Sequence, residues 1–285
     1  MPTRLDNRPM GCNKKTIFSM PAPMRKALGM GEKSDAFEVT MSLNGQVFRD
    51  VPGRKTLRVE MRGKSYFIKQ HFGVGWMEIV KNLLSLKRPI LSAMTEVRAI
   101  EKMQALNIAT TPLVAYGQRG CNPATLKSFV ITDDLGDITS LEDLCAFWKQ
   151  KPPSLRFKRQ LIIQSAKLAK KLHDNAVNHR DFYLCHLCLD NSSLPNIKLF
   201  LIDLHRVIIH SKVNERANMK DIAALYFSSM EIGLTARDYV RFKHYYRQQS
   251  DDFWRQVAAR AERLYKKFNS KKFQKKLAQE RTKLD

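Results

Sequence analysis

The densest run of reactive side chains in the 285 residues is His179-Arg180-Asp181-Phe182-Tyr183-Leu184-Cys185-His186. Further on, a second carboxylate, Asp203, closes the apolar stretch Leu199-Phe200-Leu201-Ile202. Upstream, Lys69 ends Tyr66-Phe67-Ile68-Lys69, and Glu96 opens a helical segment at a separation suited to pairing with that lysine. Taken singly, each has an ordinary reading: a surface-loop triplet, an edge-strand lysine, a solvated carboxylate in a first helical turn. Taken together and in this order, they are the residue types that phosphoryl transfer needs. That reaction asks for positioning more than covalent chemistry: one carboxylate orients the attacking hydroxyl, another holds magnesium, and a lysine steadies the phosphates.

The order is also that of a protein kinase, with Asp181 as catalytic base and Asp203 as metal-binding aspartate. Several departures are informative. No G-x-G-x-x-G precedes Lys69, and only Pro52-Gly53-Arg54-Lys55 occupies the first turn. His186 stands where protein kinases place a magnesium-binding asparagine, and imidazole is a poor magnesium ligand. Phosphate binding, metal ligation and simple packing all stay open for it. Asp203-Leu204-His205 replaces D-F-G, so no glycine-hinged flip is expected. The short stretch from Asp203 to Asp221 leaves little room for a peptide-docking element, which favours a small or glycan acceptor. Before His179, Asn175 is expected to supply the positive φ that the turn requires. Adenine is expected against the backbone of Thr132 to Leu135, with Asp133 and Asp134 as neighbours.

The elements that must position these groups follow from periodicity. Gln46 to Gln70 alternates apolar and polar residues in three runs, with Gly53 and Gly63 at the turns, and predicts an antiparallel meander. Helices are predicted over Trp76–Leu86, Ala93–Leu106 and Leu155–His173, and a short buried strand over Phe129–Thr132. Thr139-Ser140-Leu141-Glu142 reads as a capping box. Strands first and helices afterwards predict an α+β, protein-kinase-like two-lobed fold, with a small antiparallel-sheet lobe and a larger helical C-terminal lobe. The expected boundaries are a disordered extension over 1–33, with Met30 as an alternative start, one lobe over 34–135 and the other over 136–285.

The formal net charge is +23 and calls for a polyanionic partner. No run reaches the ~18 apolar residues of a membrane span. Trp76 to Arg88 carries an apolar stripe flanked by Lys81, Lys87 and Arg88, which suits interfacial docking or packing on the first lobe. The basic tail after Arg260 reads as a solvated helix, a membrane-surface arm or a nucleic-acid patch. Five scattered cysteines argue for a reducing compartment, and Cys185 and Cys188 lack the second pair that a zinc site needs.

The stretch from about Gln46 to Ser250 resembles the lipopolysaccharide core heptose(I) kinase (WaaP) family. The segments that carry the resemblance are R-K-T-L-R-V-E-M-R-G-K-S-Y-F-I-K, V-K-N-L-L-S-L-K-R-P, N-H-R-D-F-Y-L-C-H-L, I-D-L-H-R and K-D-I-A-A-L-Y-F-S-S-M-E-I-G-L-T-x-R-D. The resemblance implies ATP-dependent, magnesium-assisted phosphorylation of a heptose hydroxyl in the lipopolysaccharide inner core. It also implies peripheral work at the anionic cytoplasmic face of a Gram-negative inner membrane, with no nucleic acid expected. By position, Asp181 takes the catalytic role, Asp203 the metal, and Lys69, Glu96 and His186 the nucleotide side. Asp221 resembles a helix aspartate that buttresses the catalytic loop. The rival readings are an atypical protein kinase acting on serine, threonine or tyrosine, and a basic nucleic-acid-binding protein. The second would leave the four ordered residues as coincidence.

Overall fold

The computed structural model describes residues 16–84, 91–247 and 249–281. The chain divides into two compact units: residues up to Arg98 with Pro112–Asp134, and Ala99–Thr111 with Leu135 onward. The division falls inside the helix that carries Glu96 and again at Asp134/Leu135.

The first unit is built on one sheet. In chain order it contains β1 (Thr16–Ser19), α1 (Ala22–Ala27), α2 (Ala36–Met41), β2 (Gln46–Val51), β3 (Arg54–Met61), β4 (Lys64–His71) and α3 (Gly75–Leu84). The start of α4 (Met94–Ala105), β5 (Leu113–Arg119) and β6 (Lys127–Asp133) complete it. The six strands run antiparallel in the order β1-β5-β6-β4-β3-β2. The alternation read between Gln46 and Gln70 is the β2–β3–β4 meander. Gly53 and Gly63 hold its turns at φ of 79° and 72°, conformations that L side chains rarely adopt. The inward residues Leu57, Ile68, Phe129 and Ile131 are buried and pack with Phe37, Met24, Met41, Met61 and Ala115 into one core.

The N-terminal expectation needs correction. Residues 1–15 lie outside the described ones, but Thr16–Ser19 pairs with β5, and Met24 of α1 is buried in the core. Phe18 meets the Phe129 ring edge-on at 6.1 Å. A four-residue strand and a six-residue helix are too short for their periodicity to stand out among Met, Pro and Lys. The sheet edge supplies what the local pattern lacks.

The second unit is mostly helical. It holds the rest of α4, β7 (Ile138–Ser140), α5 (Leu141–Cys145), α6 (Leu155–Asp174), β8 (Val177–Asn178), β9 (Leu187–Asp190), β10 (Leu199–Leu201) and β11 (Ile208–Ile209). Four helices follow: α7 (Glu215–Ser229), α8 (Ala236–Tyr246), α9 (Asp251–Phe268) and α10 (Lys271–Arg281). α6 buries Leu161, Ile162, Ala166, Ala169 and Leu172 on one stripe and packs against α8, while α7 packs against α9. The cap on α5 sits one residue later than the expected box: Ser140 Oγ accepts from Asp143 N at 3.1 Å. Among the described residues, no helix is long and apolar enough to cross a membrane.

Candidate active site

In the first unit, β4 pairs with β3 and β6 on either side, Lys69 lying opposite Thr56 and Val130. Ile68 points into the core, so the strand's twofold alternation turns Lys69 to the opposite face. There its Nζ lies 2.7 Å from Glu96 Oε1, with the lysine side chain 26% exposed and the glutamate 4%. The second oxygen, Glu96 Oε2, is buried without a hydrogen bond. The glutamate is thus shielded from solvent and bonded to the lysine through one oxygen, which fixes where the ammonium sits.

In the second unit, α6 delivers the chain to the reactive run. The turn after it takes its positive φ at Ala176 (57°), whereas Asn175 caps α6 at φ −98°. This corrects the expectation that Asn175 would carry the strained position. Ala176 is held there because its N–H donates to His173 O at 3.1 Å and its carbonyl accepts from His210 N at 2.8 Å. β8 then pairs with β11 and aims the backbone at Asp221 on α7.

Asp221 is the hub beneath the loop. Oδ2 accepts from His179 N at 2.8 Å, Asn178 Nδ2 at 3.2 Å and His173 Nε2 at 3.3 Å, and Oδ1 accepts from Arg180 N at 2.9 Å. Burial alone would raise this carboxyl, but the bonds from His173 and Asn178 outweigh it and hold Asp221 below the ordinary carboxylate range. Arg180 adopts φ 71°, a conformation its bonded N–H helps to maintain. Burial also pushes His179 below the ordinary imidazole value, in keeping with a neutral ring whose Nε2–H donates to Ile202 O at 2.9 Å.

Above that hub, three predicted site residues converge. Pairing of β10 with β9 and the bond from Ile202 N to His186 O (3.0 Å) bring Asp203 beside His186. Their side chains approach at 3.7 Å, Nε2 to Oδ2. His186 Nδ1 lies 2.6 Å from the backbone carbonyl of Asp181. Asp203 itself sits in the left-handed region at φ 59°, which Asp tolerates better than most residues, and His205 Nδ1 contacts its Oδ1. Arg206 Nη1 donates to Asp181 Oδ1 at 2.6 Å. Asp181 and Asp203 keep 15% and 27% of their side chains exposed.

Arg206, His173 and Asn178 are participants that the sequence reading missed. Arg206 was visible in the I-D-L-H-R segment, and only its pairing with Asp181 gives it meaning. Asp133 and Asp134 bind Lys64 and Arg58, both at 2.8 Å. Cys185 and Cys188 are free thiols pushed up to about 11, chiefly by burial. Among the described residues, no group of three His, Cys, Asp or Glu side chains is arranged to hold a metal.

Comparison with known proteins places this arrangement. The profile of the Lipopolysaccharide kinase (Kdo/WaaP) family matches residues 39–246. The chain belongs to that family. Lipopolysaccharide core heptose(I) kinase WaaP of Escherichia coli (strain K12) is 46% identical over 215 residues, covering 74% of this chain and 81% of that protein. The WaaP kinase of Pseudomonas aeruginosa PAO1 is 41% identical over 244 residues, covering 82% and 91%. A solved structure of WaaP in complex with acyl carrier protein superimposes with a TM-score of 0.73 at 34% identity, covering 89% of this chain and all of that one. As a member of the Kdo/WaaP family, the chain is a phosphotransferase with an alcohol group as acceptor, and its α+β kinase-like fold is that of its relatives.

Proposed function

We propose that the chain transfers the γ-phosphoryl group of ATP to a heptose hydroxyl of the lipopolysaccharide inner core, at the cytoplasmic face of the inner membrane. The observation that carries this reading is Asp181 itself. One of its oxygens is fixed by Arg206, and its loop is pinned from beneath by Asp221. A carboxylate so oriented offers Oδ2 to an acceptor hydroxyl. As the acceptor oxygen bonds to the γ-phosphorus, the bond to the bridging oxygen breaks, ADP leaves, and the hydroxyl proton passes to Asp181. Lys69, located by Glu96, steadies the donor's phosphates. His186 stands on the nucleotide side of this set.

The donor atoms at Asp203 fit a divalent cation that is shared with the nucleotide. The chain offers fewer than three clustered ligands among its described residues, and magnesium characteristically takes one or two carboxylates and leaves the remainder to phosphate and water. Held there, the ion would neutralise charge on the transferring group.

The membrane reading draws on α3. Trp76, Met77, Val80 and Leu84 are exposed on a ten-residue helix whose Ile79 is buried. Of the three flanking cations in the sequence reading, Lys81, Lys87 and Arg88, the last two lie outside the described residues. An apolar stripe on a chain of net charge +23 suits an anionic headgroup surface, at ~1 kcal/mol per well-placed basic residue. Flotation with anionic vesicles, reduced by Trp76→Ser with Leu84→Ser, checks it. An acyl carrier protein is a further partner we propose, by likeness to the solved relative. The second unit holds a cavity of about 320 Å³, lined mainly by apolar side chains such as Leu141, Trp148, Leu161, Leu225, Phe242 and Val257, and its chemistry suits an acyl chain.

The test of the reaction is label transfer from γ-labelled ATP to core lipopolysaccharide lacking the heptose phosphate. Label on the glycan with wild type and none with Asp181→Ala is the expected result. Label on a peptide substrate and none on the glycan would return the reading to a protein kinase.

A further inference from the structure

We propose that Arg260 on α9, together with Arg216 and Lys220 on α7, forms an anion subsite beside the catalytic loop, and that it seats a phosphate or carboxylate group which the acceptor glycan already carries. The proposal rests on the phosphotransfer reading and deepens it by naming the acceptor's chemistry: a charged glycan held by its charge.

α9 packs against α7, and Arg260 shares a helical face with the buried Val257 and Ala261. Arg260 is partly buried, and its Nε is cut off from solvent without a hydrogen-bond partner. A buried donor left unmatched in a folded chain asks for an explanation, and a bound acceptor supplies one. Arg216 and Lys220 are four residues apart on α7 and so stand on one face of it. Lys220 is held below the ordinary ammonium range, first by desolvation and then by the positive charges of Arg216, Arg260 and Arg180. Cations from two helices and the loop therefore converge here. The carboxylates nearest along α7 are engaged elsewhere, Glu215 with Arg247 at 3.3 Å and Asp221 with the loop amides. Like charges gathered in this way repel, and an anionic ligand relieves the repulsion.

Tyr183 links the cluster to the chemistry. Its hydroxyl is raised chiefly by burial and then by the Asp181 charge, and is lowered by Arg206 and Arg260. Arg260 thus acts on the same phenol as the catalytic carboxylate. The Tyr183 ring meets Phe227 of α7 edge-on at 6.3 Å, which fixes it between the loop and that helix. Arg206 is committed to Asp181 and orients it, whereas Arg260, Arg216 and Lys220 are placed to meet a ligand. A guanidinium fork matches phosphate or carboxylate, and a flanking ammonium adds charge without fixed geometry. An acceptor anchored there by one group presents a neighbouring hydroxyl to Asp181 already oriented.

The test measures label transfer by the full chain to three acceptors: core lipopolysaccharide lacking the heptose phosphate, the same material treated with phosphatase, and the same material with its carboxyl groups reduced. One of the two treatments should raise the wild-type KM for acceptor about tenfold, and so names the group as phosphate or carboxylate. Arg260→Gln should raise the KM for untreated acceptor by a similar factor and erase the difference between treated and untreated material. It should leave kcat and the KM for ATP unchanged. Arg216→Gln with Lys220→Gln, at exposed positions, should move the acceptor KM the same way and decides the matter if melting curves show Arg260→Gln to be unfolded. Arg159→Gln, an exposed arginine on α6, removes the same charge elsewhere and should change none of these quantities. Inorganic phosphate should compete with the acceptor in wild type and not in Arg260→Gln. An acceptor KM unmoved by these substitutions, or by both treatments, overturns the inference and leaves the kinase reading intact. A raised KM for ATP, or lost binding of acyl carrier protein with the acceptor KM unchanged, would assign the cluster to that ligand and overturn it as well. Absence of transfer from wild type to any of the three glycans would sink both.

Discussion

Two anchoring arrangements, one in each unit, hold charge in different ways. Asp221 is 2% exposed and receives four hydrogen bonds, two of them from backbone N–H groups. Glu96 is nearly as buried, yet it holds one side chain, Lys69, which stays 26% exposed. The first arrangement spends its charge on the backbone and fixes a loop. The second places a single ammonium and leaves it reachable. A carboxylate saturated by amides is scaffold, and one paired to a partly open lysine positions a group for a ligand. Asp181 and Asp203 are more exposed than either anchor, in keeping with the substrate-facing roles proposed for them.

Substitutions break this contrast in graded ways. The largest effect is expected at Asp181: Asp181→Ala lowers the transfer rate by about 10²–10⁴-fold, measured at saturating ATP, with the melting temperature unchanged. Asp221→Ala leaves buried donors without an acceptor and is expected to destabilise by about 3–5 kcal/mol in denaturant titration, with activity falling alongside. Glu96→Gln removes one charge from the pair that locates Lys69, the lysine proposed to steady the donor's phosphates. Stability is expected to change by about 1 kcal/mol, and calorimetry is expected to show the larger loss in nucleotide affinity.

The pH dependence sharpens the same point. Folding lowers both His179 and Asp221 relative to their ordinary values of 6.5 and 3.8. A lowered folded-state value means the unfolded chain binds more protons in that window, so stability falls as pH drops. Stability should therefore begin to decline below about pH 6.5 and decline again below about pH 4. His179→Asn should remove the first step and leave the second. The smallest effect is at the strained turn: Ala176→Gly is expected to stabilise by about 1 kcal/mol, since glycine carries no Cβ penalty at φ 57°.

Much of this was legible in the residues, and what was not has physical causes. The meander, the long α6 and the order Lys69, Glu96, Asp181, Asp203 could be read because alternation, helical periodicity and motif spacing are local signals. The ion pair of Lys69 with Glu96 followed from order alone. The roles of Arg206, His173 and Asn178 did not, because each depends on contacts across many residues of sequence. β1 was hidden for a related reason: its four residues gain their structure from β5, far along the chain. At the turn before His179, the expectation followed side-chain preference and chose Asn175, whereas hydrogen bonds to His173 and His210 force the strain onto Ala176. The cap at Ser140 was displaced by one residue because Ser140 Oγ both accepts from the Asp143 N–H and donates its hydroxyl to the Asp143 carboxylate.

The contrast between scaffold and reactive carboxylates is tested most directly by hydrogen exchange at the His179 and Arg180 amides, read beside the transfer rate in Asp181→Asn and Asp221→Asn. Asp181→Asn should keep both amides protected and lose transfer. Asp221→Asn should lose protection and transfer together. Protected amides in Asp221→Asn, or undiminished transfer in Asp181→Asn, would contradict the division of labour proposed for these two carboxylates.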